Sequence, residues 1–105
     1  MILTTTASIE GRPVQEYLGV INAQSIIGAN MFKDIFAGLR DLIGGRSKTY
    51  ERVIEEAKED DMRELTQKAQ SVGANAVVGI DLDFETVGAS GSMLMVIATG
   101  TAVRI

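Results

Sequence analysis

Three acidic side chains alternate along one short stretch near the C-terminal end of the chain, at Asp81, Asp83 and Glu85. Their two-residue spacing places them on one face of a β-strand, and carboxylate oxygens are the ligands that hard divalent cations prefer. Two interpretations stay open. The stretch is either a metal site that neighbouring copies of the chain complete, or a solvated strand face on which like charges ~7 Å apart are tolerated. The cofactor is unknown, with a divalent metal ion as the candidate.

A second candidate site is the tight junction at Gly45, Arg46 and Ser47. At the start of a helix, free backbone N–H groups and the helix dipole attract anions, and the Arg46 guanidinium would add donors. A phosphate-binding loop, however, carries a lysine after its last glycine, where this chain has Arg46. Anion binding by Arg46 and Ser47 therefore stands beside ordinary capping of the helix by Ser47.

The composition excludes most catalytic chemistry, because the 105 residues include no cysteine and no histidine. Thiolate metal sites, disulfides and the usual proton shuttle of neutral pH are thereby ruled out. We predict a protein that is not an enzyme, and the residual alternative is an enzyme that uses Arg46 and carboxylates on an anionic substrate. A net charge of −4 without a basic stripe argues against nucleic acid as a partner.

The elements that would position these residues follow from the spacing of apolar side chains, which predicts one domain over residues 1–105. The predicted elements are an N-terminal hairpin with its turn at residues 11–13, a strand over 17–27, helices over 30–43 and 48–72, and strands over 78–85 and 93–105. In the strand over 78–85, Val78, Ile80, Leu82 and Phe84 are predicted to face inward. We expect the last two strands to form a hairpin.

The final predicted strand is apolar on both faces, with Met93, Met95 and Ile97 on one and Leu94 and Val96 on the other. One layer of helices covers only one face of a sheet, so we predict that the second face meets another copy of the chain. The longest strongly apolar run, at residues 93–98, is far shorter than the ~20 residues that span a bilayer. No basic leader follows Met1, and we predict a cytoplasmic protein with no membrane partner.

Several longer motifs carry a family resemblance: Gly28-Ala29-Asn30, Gly44-Gly45-Arg46-Ser47 with Tyr50-Glu51, the turn over residues 73–79, Glu85-Thr86-Val87-Gly88, and Gly91-Ser92-Met93-Leu94-Met95. With these motifs the chain resembles the YbjQ family of bacterial proteins over nearly its whole length. The resemblance implies an α+β, dodecin-like β-α-β-β subunit, with an antiparallel sheet, two helices on one face and extra short N-terminal strands. It also implies a homopentamer and a label of heavy-metal binding, and it supplies no catalytic residue.

These observations leave two functions open. The first is a non-catalytic assembly that binds a metal ion or small ligand at subunit junctions, with Asp81, Asp83 and Glu85 as the contacts. The second is a ring that acts as a scaffold for another bacterial protein and binds no ligand.

Overall fold

The computed structural model describes residues 1–28, 48–91 and 93–105, which form an α+β fold. Its elements are β1 (Ile2–Leu3), β2 (Glu16–Ile27), α1 (Lys48–Ser71), β3 (Ala76–Val87), a 3-10 turn (Ala89–Gly91) and β4 (Met93–Arg104). The order β2-α1-β3-β4 contains the expected β-α-β-β core, and one short strand precedes it in the described part. The helix predicted over residues 30–43 lies outside the described residues, so the expectation of two helices stays a prediction.

The four-stranded sheet is mixed, with strand order β1-β3-β4-β2, so the expected antiparallel pairing holds for the three long strands but not for β1. Strand β4 pairs antiparallel with both β3 and β2, which confirms the C-terminal hairpin. Strand β1 instead runs parallel to β3, pairing Ile2 with Ala76. The predicted N-terminal hairpin is also wrong, because the segment after β1 continues along β3, where the Thr6 carbonyl accepts a bond from the Gly79 N–H at 2.8 Å.

Helix α1 confirms the second predicted helix and lies against one face of the sheet. Its apolar stripe meets the buried side chains of the three long strands, and Leu65 and Ala69 are 0% exposed. The helix ends at Ser71, and Gly73, two residues later, has a φ of 83°, the left-handed conformation that glycine adopts most easily. The N–H of Gly73 closes the last turn by donating to the Gln70 carbonyl at 3.1 Å.

A bulge in β3 sets which side chains face the helix. Between Val78 and Asp81 the register against β4 shifts, and Gly79 has a φ of 62°. Because two residues here oppose one residue of β4, the alternation of faces is interrupted. Ile80 packs into the core under α1, whereas Val78 packs with Val103 on the opposite face. The prediction that Val78 and Ile80 share a face is therefore wrong.

The face of the sheet opposite α1, here called the helix-free face, carries no helix of the described residues, and the described chain covers it only in part. At one end, Ile9 and Val14 of the N-terminal segment pack against the cluster around Val103. Farther along, Val20 is 76% exposed and Ile26 is 57% exposed. Among the described residues, none lies in a helix long and apolar enough to cross a membrane.

Candidate functional site

The three predicted acidic residues lie together on the helix-free face, and all three are exposed. In the register of β3 against β4, Asp81 pairs with Thr99, Asp83 with Ile97 and Glu85 with Met95. Thr99 and Met95 alternate with the buried β4 residues that face α1, so their partners project away from the helix. The bulge at Gly79 places this acidic row on the face opposite Ile80 and Leu82.

The carboxyl groups within the row interact directly. A side-chain hydrogen bond with Asp81 raises the pKa of the Asp83 carboxyl above its usual value, and repulsion by the Asp81 charge, slight desolvation and the charge of Glu85 act in the same direction. A proton on Asp83 relieves this repulsion. A bound cation would relieve it by the same electrostatics and would compete with that proton.

The described part of the chain does not complete a metal site on this face. In the described ranges, no group of three or more acidic side chains is arranged to hold an ion. Across the sheet, Thr99 of β4 brings one hydroxyl to this face as the partner of Asp81, and the next oxygen-bearing side chain is the amide of Asn22, which pairs with Thr99 from the far side of β4. Two strand spacings separate Asn22 from Asp81, or roughly 10 Å, whereas calcium ligands lie about 2.3–2.6 Å from the ion. Further ligands would have to come from outside the described residues of one chain.

The acidic row borders an open edge of the sheet. Strand β1 pairs with β3 only at Ala76 and Val77, and the carbonyls of Thr4 and Thr6 extend this contact to Ile80 by accepting backbone bonds from the N–H groups of Ile80 and Gly79 respectively. From Asp81 onward, in the residues described, β3 pairs with β4 alone. The outer edge of β2 is likewise unpaired within the described chain. An unpaired edge is a template for pairing with a strand of another molecule.

The second predicted site, Arg46 and Ser47, lies outside the described residues, so anion binding there stays a prediction. A cavity of about 260 Å³ does lie between the end of β2 and the first half of α1. Its two carboxylates, Glu56 and Asp60, form ion pairs with Arg52 and Arg63 respectively. These carboxylates are already compensated and add no net charge for a ligand.

Sequence reasoning missed one group, the buried carboxyl of Asp61. It occupies a core position of α1 and is 0% exposed, and the Ser25 hydroxyl of β2 donates to its Oδ1 at 2.6 Å. Burial raises the pKa of the Asp61 carboxyl above its ordinary value of 3.8. The signal was present in the sequence, because Asp61 stands four residues after Ala57 and four before Leu65, within the apolar stripe.

Comparison with known proteins places these features in a family. The YbjQ family model, described as "Putative heavy-metal-binding", matches residues 1–105. Proteins named UPF0145 protein from two strains of Caulobacter vibrioides are each 58% identical over 103 residues, covering 98% of this chain and 98% of the relative. A crystal structure of a protein of unknown function from Pediococcus pentosaceus, of the DUF74 family, has a TM-score of 0.60 and 20% identity, covering 100% of this chain and 97% of the other. At that identity the likeness supports the fold alone.

Proposed function

The chain belongs to the YbjQ family, and from that premise we propose that it is a bacterial, cytoplasmic homo-oligomer that binds a divalent metal ion or small ligand without catalysis. Five copies are the expected number. The binding sites lie at junctions between copies, and Asp81, Asp83 and Glu85 provide the contacts.

The observation that carries this proposal is the position of the acidic row. Asp81, Asp83 and Glu85 are exposed on a sheet face and begin where the β3 edge loses its β1 partner. Among the described residues none of the three forms an ion pair with a basic side chain. A strand or side chain of a second copy that reaches this edge can supply ligands that the described residues of one chain lack.

Self-association is supported by the apolar part of the helix-free face. Val20 and Ile26 are mostly exposed, and burial of such side chains contributes about 1.5–3 kcal/mol each. The outer edge of β2, which pairs with no strand of the described residues, offers backbone groups beside them. A neighbour covering this region would also bury the partly exposed β4 residues Met95 and Ile97.

A second candidate function is a ring that serves as a scaffold for another protein and holds no ligand. It is favoured by the donor chemistry of the chain, because without cysteine or histidine a heavy metal would find only oxygen and thioether ligands. The apolar part of the helix-free face would then provide the contact between copies. The acidic row would lie beside that contact, exposed to solvent.

Titration calorimetry with Mg²⁺, Ca²⁺, Mn²⁺ and Zn²⁺ separates the two functions. The wild type is expected to release or absorb heat with at least one of these ions, and the double variant Asp81→Asn/Asp83→Asn is expected to lose that signal, because two of the carboxylate ligands are gone. The matched control is Glu56→Gln/Glu59→Gln, which removes the same formal charge from exposed positions of α1.

The variants also distinguish a specific site from general attraction of cations. If both double variants lose the heat equally, the acidic row is not the site. If the wild type shows no heat with any of the four ions while it remains an oligomer, metal binding fails and the scaffold function is favoured.

A further inference from the structure

Asp61 is the one ionisable residue in the buried core of the described chain, and none of its surface reaches solvent. Its Oδ1 accepts the hydrogen bond from the Ser25 hydroxyl. Its Oδ2 is fully buried and has no hydrogen-bond partner in the part of the chain that the structure describes. A carboxylate with an unpartnered buried oxygen is costly, because the lost hydration of the charge is not replaced.

The charges around Asp61 oppose its ionisation. Burial raises the pKa of the Asp61 carboxyl most, the hydrogen bond from Ser25 lowers it, and the charges of Glu64 and Asp60 raise it again. The cation Lys68, two helical turns farther along α1, is already engaged, since its Nζ lies 3.4 Å from Oε1 of Glu64 and donates to the Asn22 carbonyl at 2.6 Å.

The strands packed against α1 bring no compensating charge. The titratable side chains of β2 are those of Glu16 and Tyr17, and the only one of β4 is that of Arg104. Glu16 and Arg104 pair with each other at the end of the sheet where β2 begins and β4 finishes. Ser25 lies near the opposite end of β2. The acids of β3 project from the helix-free face, away from α1.

A neutral Asp61 satisfies more hydrogen bonds than an ionised one. Oδ1 carrying the proton donates to Ser25 Oγ, and the Ser25 hydroxyl is then free to donate to the Ala57 carbonyl, 3.5 Å away. In the ionised form the Ser25 hydroxyl must donate to Oδ1, and the Ala57 contact is lost. The unpartnered Oδ2 is a neutral carbonyl oxygen in the first case and part of an anion in the second, where its burial costs more.

We propose that Asp61 is a proton-responsive joint between α1 and the edge strand β2, which it holds tightly while its carboxyl is neutral and loosely once the proton is lost. The joint acts on residues of β2 that have no partner strand on their outer side in the described chain. Proton loss therefore loosens an edge of the sheet rather than its centre, and β3 and β4 keep their mutual pairing.

The direction of the pH effect follows from proton linkage. In the unfolded chain the Asp61 carboxyl has its ordinary pKa of 3.8. The native state still holds the Asp61 proton at pH values where the unfolded chain has released it. The contribution of Asp61 to the free energy of unfolding is thus greatest at low pH. This contribution falls as pH rises from 3.8 through the raised native pKa, and above that pKa it stays constant. One proton changes the unfolding equilibrium constant by at most about tenfold per pH unit.

The test compares chemical unfolding of the intact protein and of Asp61→Asn from about pH 4 to about pH 8. This range begins near the ordinary pKa of a carboxyl group and extends well above it. Asparagine keeps an acceptor for Ser25 but cannot ionise. The ratio of unfolding constants, wild type over variant, is expected to rise by up to about tenfold per unit above pH 3.8 and then level off. Glu59→Gln, an exposed change on the same helix, is the matched control and is expected to give a flat ratio. A flat ratio for Asp61→Asn would overturn the proposal.

Two further measurements test the joint between α1 and β2 directly, one at the Asp61 carboxyl and one at the backbone of β2. The carboxyl ¹³C resonance of Asp61 in the wild-type protein is expected to titrate above 3.8. Hydrogen exchange at residues 22–27 is expected to be faster in the wild type than in Asp61→Asn at high pH and equal at low pH. A midpoint at or below the ordinary value, or equal exchange at every pH, would contradict the inference.

Discussion

Gly100 of β4 lies under the β3 bulge, and replacing it with alanine is expected to destabilise the fold measurably. A Cβ at this position would lie 2.6 Å from Cγ1 of Val77 and 3.1 Å from Cγ1 of Ile80, with the backbone oxygen of Val78 at 3.4 Å. Carbon atoms pack at about 3.5–4.0 Å. Because Val77 is 0% exposed and Ile80 is buried, neither side chain can move into solvent.

The magnitude follows from two opposing effects. Extra methyl groups in a packed core typically cost about 1–3 kcal/mol. The φ of Gly100 lies outside the left-handed region, so alanine adds no backbone strain and stiffens the unfolded chain, which returns about 0.4–1 kcal/mol. We expect a net loss of about 1–2 kcal/mol in the free energy of unfolding.

Urea unfolding followed by circular dichroism measures this loss, and Gly28→Ala is the matched control. A Cβ at Gly28 meets nothing within 4 Å, so that variant is expected to stay within about 0.5 kcal/mol of the wild type. Adding Val77→Ala to Gly100→Ala removes the closest contact, and the double variant is expected to lose less than the sum of the two single losses. Equal losses for Gly100→Ala and Gly28→Ala, or strict additivity with Val77→Ala, would refute the packing derived for the bulge.

Two further predictions concern the two faces of the sheet. Leu65→Ala, at a 0% exposed position, is expected to lower the free energy of unfolding by about 2–5 kcal/mol in the same urea assay, and a loss below about 1 kcal/mol would contradict its place in the core. Val20→Lys, at a 76% exposed position, is expected to reduce the mass of the assembly in size-exclusion chromatography with light scattering while helical content is retained. An unchanged mass would exclude the helix-free face around Val20 from the contact between copies.

The long periodic elements could be predicted from the sequence, because each has one dominant pattern. Four-residue spacing along α1 predicted the helix and its end at Gly73 to within a residue or two. Two-residue alternation predicted the acidic row of β3, and the sequence between Val87 and Met93 predicted the hairpin. Local periodicity determines these features, so they required no knowledge of the remaining chain.

The errors arose where a distant pairing or one residue changes the local pattern. Gly79 interrupts the alternation of β3 and moves Val78 to the other face, and an isolated glycine within a strand is a known sign of a bulge. Strand β1 has only two paired residues, and their partners on β3 are more than 70 positions away in the sequence. No local sequence pattern predicts such a parallel pairing. No prediction was made for Asp61, although its spacing from Ala57 and Leu65 places it in the core.

Native mass spectrometry of gently purified protein tests most directly whether copies of this chain assemble around a ligand. We predict a five-chain species with a reproducible added mass, and we predict that Asp81→Asn/Asp83→Asn keeps the chain count but loses the added mass. A five-chain species without added mass would favour the scaffold function. A single chain without added mass would contradict both assembly and ligand binding.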